Sequence, residues 1–281
     1  THGAKLAAQG DVVVVTVNHR LNALGYAWLK PFGARYADSG NLGQLDLMLA
    51  LEWVRAHIAG FGGDPARIMV FGQSGGGAKI ATLMAMPAAN GLFHAAATMS
   101  GQQAVASGPG NAWKRTQALF AALKLQPGDV EMLRTMPVQQ LIDGLGATAP
   151  VIGGALYMGP VLDMTTLPRH PFWPDAAPQS LHIPMILGNT RDETRAFIDP
   201  KGPKLHGLNW DNLGARIAPE VKIDLDVDWV VKQYRAQYPA WTPSQVFYSA
   251  TTAGRSWPGQ GIEADERPKA GANATWVEQL D

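Results

Sequence analysis

The residues best suited to chemistry in this 281-residue chain sit in VFGQSGGGAK, residues 70–79, where four glycines surround one hydroxyl. Gly72-Gln73-Ser74-Gly75-Gly76 fits the G-x-S-x-G pattern, in which a serine is lifted above a sheet on a sharp strand-to-helix turn. Such a turn needs small neighbours on both sides of the serine. It also brings the amide of Gly75 close to the serine oxygen at a helix N-terminus, where it can donate to an oxyanion. Two other uses of the glycines fail or say less. A phosphate loop needs lysine directly after its second glycine, and Ala78 stands there; the spacing of a dinucleotide fingerprint is absent. A bare helix cap by Ser74 is the plainer alternative.

A second chemical group is the carboxylate pair Asp192-Glu193, which comes after the apolar stretch IPMILGN from Ile183. A carboxylate at the end of that strand would share the sheet edge with Ser74, the edge at which open α/β sheets bind ligands. Adjacent side chains point apart, so local sequence leaves the choice between the two open.

The elements that must position these groups read as alternating strands and helices, an α/β layer architecture. Val12–Val17 is a continuous β-branched run, expected as a strand buried on both faces. A helix comes next, with Asn41 expected as N-cap, Gln44 three residues on, and Leu47, Leu51, Val54 and Ile58 on one face. Ile68–Phe71 reads as the strand before the elbow, and Ile80, Leu83 and Met84 as the helix after it. Further strands are expected around residues 94–101, from Ile183, and at ATWVEQLD near the end. Residues 111–145 read as helical, with Asn111 as a cap, and 150–181 as Gly/Pro-rich loops in which Phe172 and Trp173 are core aromatics.

Composition narrows the partners. Lys plus Arg equals Asp plus Glu at 23 each, so no net field would recruit nucleic acid or an anionic membrane. A small-molecule or apolar substrate is expected. With no cysteine, the chain offers no thiolate nucleophile, disulfide or cysteine-held metal. No apolar run reaches the roughly 20 residues of a membrane span, which suggests a soluble protein and leaves the compartment open between cytoplasmic and secreted.

Taken together, DVVVVTVNHRLNALGY, GNLGQLDLMLALEWVRAHIAGFGGDPARIMVFGQSGG, GLFHAAATMSG and LGNTRDETRAF resemble, in order, the type B carboxylesterase family of the α/β-hydrolase fold. The resemblance implies a mostly parallel sheet flanked by helices, forming one partial domain over residues 1–281 with a helical and loop-rich insertion at about 102–181. It implies a serine ester hydrolase that forms an acyl-enzyme on Ser74. Gly75 is then an oxyanion donor, Glu193 the triad acid and Ser100 a support for that acid, with a small-molecule ester as substrate and no cofactor or metal. Gln73 and Thr194 depart from the family's usual Glu and Gly. The family's glycine-rich oxyanion loop is expected upstream of residue 1 and its catalytic histidine beyond Asp281. His206 lies too soon after the acid to serve, and His2, His19, His57, His94, His170 and His182 precede it. A noncatalytic binding or adhesion protein of the same fold is the alternative function, as is an inactive fragment.

Overall fold

The computed structural model describes residues 3–150, 154–221 and 225–281. Four short segments form one parallel sheet in the order β1-β2-β3-β4: β1 Met69–Gln73, β2 Ala95–Met99, β3 Met185–Thr190 and β4 Thr275–Leu280. The register sets Gln73 beside Met99 and Met99 beside Gly188. All the strands run the same way, so the segments leaving the C-terminal ends of β1, β2 and β3 emerge at one edge.

The helices are α1 Ala4–Gly10, α2 Asn22–Tyr26, α3 Leu42–His57, α4 Gly75–Leu83, α5 Pro109–Ala122, α6 Val138–Gly144, α7 Leu213–Ile217, α8 Val227–Gln237, α9 Pro243–Arg255 and α10 Trp257–Lys269. The main core buries Ala96, Met185 and Leu187 from one face of the sheet with Ile80, Leu83 and Met84 of the α4 region, and Ile262 of α10 packs against it. Arg267 fastens α10 there from a fully buried position: Nη2 donates to Ile183 O at 2.6 Å and Nε to Thr275 Oγ1 at 3.0 Å. A second core gathers Leu213, Ile217, Val231, Val246, Phe247 and Tyr248 from α7, α8 and α9. On the opposite face of the sheet Met69, Phe71, Ile186 and Trp276 are exposed.

Several sequence expectations are corrected. Val12–Val17 forms no strand; four of its valines are exposed, because a ladder needs a neighbour and the run pairs with none of the four strands. Asn41 precedes α3 but caps nothing. Its Nδ2 donates instead to Val161 O at 2.8 Å, Asp163 Oδ2 at 2.9 Å and Thr166 Oγ1 at 2.9 Å, while Gln44 Nε2 reaches Lys79 O at 3.0 Å. Asn111 lies inside α5, which starts at Pro109, since proline suits a first helical turn. Phe172 is core as expected, but Trp173 is exposed. The 150–181 loops contain a short 3-10 turn, Pro178–Ser180, and His2 and residues 151–153 lie outside the described residues.

Candidate active site

Ser74 occupies the junction between β1 and α4 with φ 54° and ψ −123°, a backbone conformation that L residues rarely adopt. A residue held this way stores roughly 1–3 kcal/mol of strain, so its surroundings must enforce it. Two bonds do so: Ser74 N donates to Met99 O at 2.8 Å, and Ser74 O accepts from Ala78 N at 3.1 Å. The side chain stays exposed above the sheet edge. Gly75 begins α4, so its N–H has no intrahelical acceptor and is free to donate.

The steric demand for glycine falls partly where the sequence pattern puts it. A Cβ on Gly72 would come within 2.6 Å of Gly76 C, so Gly72 is required. A Cβ on Gly76 would meet open space, which corrects the expectation of tight packing on that side. The close approach lies instead between Gly77 and Gly101. A Cβ on Gly77 would sit 3.0 Å from Gly101 Cα, and one on Gly101 would lie 2.6 Å from Gly77 Cα and collide with Ser74 O. Gly101, which no sequence motif singles out, thus lets the loop after β2 back the serine turn.

That loop also carries Ser100, again at positive φ (53°), with its N–H donating to Gly188 O at 2.6 Å. Its Oγ donates to Glu193 Oε1 at 2.5 Å, and the same carboxylate oxygen accepts from Thr190 N at 2.6 Å. Glu193 is half-buried and opens a 3-10 turn, Glu193–Ala196, just past β3. Ser74, Ser100 and Glu193 therefore lie just past the ends of three adjacent strands at one edge. Asp192 turns elsewhere, pairing with Arg191 at 3.2 Å and Arg195 at 3.8 Å.

Thr194, where the family resemblance implies glycine, is buried and tied to α9. Its Oγ1 lies 2.8 Å from Thr251 Oγ1 and 3.1 Å from Thr252 Oγ1, and its N–H donates to Thr252 Oγ1 at 3.3 Å. Its departure from glycine was the only sequence sign of this anchor. Helix α10 braces the neighbouring loop through Glu263. Fully buried, Glu263 accepts from Gln103 N at 2.6 Å, and burial pushes its carboxyl up to about 8 against the pull of that N–H and of Arg267.

Among the described residues no histidine hydrogen-bonds Ser74 or Glu193. His94 Nδ1 accepts from Ile68 N at 3.2 Å and His170 Nδ1 from Ala106 N at 3.1 Å, His57 packs its ring at a tilt against Trp53, and His182 and His206 are exposed. His19 keeps its Nε2 buried without a partner, and burial, then the charge of Lys79, lowers its pKa. Among the described residues no group of three or more His, Asp or Glu could hold a metal ion. No helix among them is long and apolar enough to cross a membrane.

Known proteins resemble this chain in sequence and in fold. The chain is 41% identical over 201 residues to para-nitrobenzyl esterase of Bacillus subtilis (strain 168), covering 70% of this chain and 40% of that protein. It is 35% identical over 202 residues to cocaine esterase of Oryctolagus cuniculus, covering 71% and 36%. Its structure superposes on the Geobacillus stearothermophilus carboxylesterase EST55 with a TM-score of 0.83 at 33% identity, covering 100% of this chain and 57% of that one. The chain thus spans about half the length of that structure and less of the other two relatives. With its parallel sheet and flanking helices it has the α/β-hydrolase fold of those esterases. The model of the carboxylesterase family matches residues 1–240, and the chain belongs to that family.

Proposed function

We propose that this chain carries the nucleophile and acid of a serine carboxylic-ester hydrolase acting on small-molecule esters, within one catalytic domain. The observation that carries the reading is the strained, exposed Ser74 at the sheet edge where Ser100 joins the adjacent loop to Glu193. In this reading an ester binds with its carbonyl oxygen toward Gly75 N–H. Ser74 Oγ attacks the carbonyl carbon as its proton passes to a histidine, the alcohol leaves with that proton, and water then releases the acyl group as acid. Glu193 orients and compensates the imidazolium. Its Oε1 is occupied by Ser100 and Thr190, and Oε2 makes no hydrogen bond among the described residues, leaving it for the imidazole N–H.

The histidine and a second set of oxyanion donors come, on this proposal, from sequence outside residues 1–281. Removing the base of a serine hydrolase costs on the order of a million-fold in kcat, and one oxyanion donor about 3 kcal/mol. Hydrolysis of p-nitrophenyl acetate by residues 1–281 and by the full-length reading frame is the test. The long form is expected to turn over and the short form to stay near background; equal turnover refutes the division of the site. Covalent labelling of Ser74 by a fluorophosphonate separates this enzyme from a binding protein of the same fold, which stays unlabelled.

A further inference from the structure

Lys79 lies one turn into α4 and is only 9% exposed. Its Nζ reaches back toward the start of the helix, donating to Gly75 O at 3.3 Å, and a Cβ built on Gly75 would lie 3.5 Å from it. The ammonium therefore sits directly behind the residue whose amide is the proposed oxyanion donor.

This is an unfavourable place for a cation. Burial strips water from it, and the positive end of the helix dipole repels it. Among the described residues no anion offsets either effect. Tyr26 presents its ring 5.8 Å from Nζ and gives its hydroxyl to Gln44, and burial keeps that phenol neutral by raising its pKa. His19 carries no negative charge, and burial and then the Lys79 charge lower its pKa. The nearby carboxylate, Asp46, is already committed. Arg20 N and Nε both donate to its Oδ2 at 2.9 Å, and Arg20 Nη2 donates to its Oδ1 at 2.6 Å. Arg20 and Asp46 cancel, so among the described residues no counter-charge offsets the Lys79 ammonium beside the elbow, and burial lowers its pKa.

A buried charge without a counter-ion is costly in the resting protein, and it favours whatever negative charge forms next to it. In acyl transfer that charge forms on the carbonyl oxygen held at Gly75 N–H. We propose that Lys79 is a positioning residue for charge: acting through Gly75, its ammonium favours the oxyanion formed when Ser74 attacks. The inference rests on the reading of Ser74 as nucleophile.

It predicts opposite effects on stability and rate, which a packing role would not produce. In the full-length protein, Lys79→Met and Lys79→Gln are expected to raise the thermal midpoint. The same variants should slow phosphonylation of Ser74 by a fluorophosphonate roughly tenfold, less than the loss of a direct oxyanion donor, with KM for p-nitrophenyl acetate nearly unchanged and kcat falling in parallel. Unchanged labelling in the variants overturns the proposal, and so does a lowered midpoint or loss of folding in both, which would make Lys79 structural. Ser74→Ala is the blank. Labelling that persists in it overturns the nucleophile reading itself, whereas labelling lost in Ser74→Ala but intact in Lys79→Met overturns only the role of Lys79.

Discussion

Ser100 Oγ and Glu193 Oε1 are 2.5 Å apart, although 93 residues separate them in sequence. The bond crosses from the loop after β2 to the turn after β3, so it ties two strand ends together where the proposed acid stands. A hydroxyl donating to one carboxylate oxygen fixes which oxygen remains free.

Ser100→Ala is therefore expected to leave the fold intact and to misorient Glu193. In the full-length protein kcat/KM should fall roughly tenfold, reflecting the loss of one charged hydrogen bond of about 1.5–3 kcal/mol from which Thr190 N rescues part. Steady-state hydrolysis of p-nitrophenyl acetate measures it, and activity equal to the parent would remove Ser100 from the site.

The elbow glycines should separate by stability. Gly72→Ala places a methyl 2.6 Å from backbone and is expected to cost at least about 1–3 kcal/mol, as overpacking does. Gly76→Ala enters open space within α4 and is expected to be neutral or to stabilise by up to about 1 kcal/mol, the helix-propensity gain of alanine. Urea denaturation of the two variants checks the contrast.

Glu263 predicts a pH dependence. Its folded pKa, about 8, lies above the ordinary carboxyl value, so its contribution to stability is fully present below the unfolded pKa and is lost as pH rises toward 8. Between the two values, stability should fall by up to roughly 1.4 kcal/mol per pH unit. Glu263→Gln should flatten that slope, and denaturation curves taken from pH 5 to pH 8 would reveal it; identical slopes in both proteins would exclude the buried carboxyl as their source.

Strands β1, β2 and β3 were legible because each is a short apolar run with a glycine in it or just after it. Val12–Val17 has the strongest such pattern and is no strand, because composition reports fitness for burial and not the presence of a ladder neighbour. Capping failed at Asn41 for a related reason: its amide is drawn to Val161, Asp163 and Thr166, more than a hundred residues away, a demand no local window displays. Helices α8, α9 and α10 were not read from the sequence. At the site, the serine turn could be derived from spacing and sterics, whereas the pairing of Ser100 with Glu193 was suggested only by family resemblance. Gly101 and Lys79 act through contacts with other segments, or through the absence of a counter-charge among the described residues, and became visible only once the chain was folded.

The unpaired valines have a material consequence. Val12, Val13, Val14, Val15, Thr16 and Val17 form an uncharged, proline-free stretch of high β propensity with its backbone unladdered. Such a stretch is a template for intermolecular cross-β stacking. For residues 1–281 in solution, concentration and time should therefore govern yield as much as folding does, with fibrillar aggregates seeded at this hexapeptide.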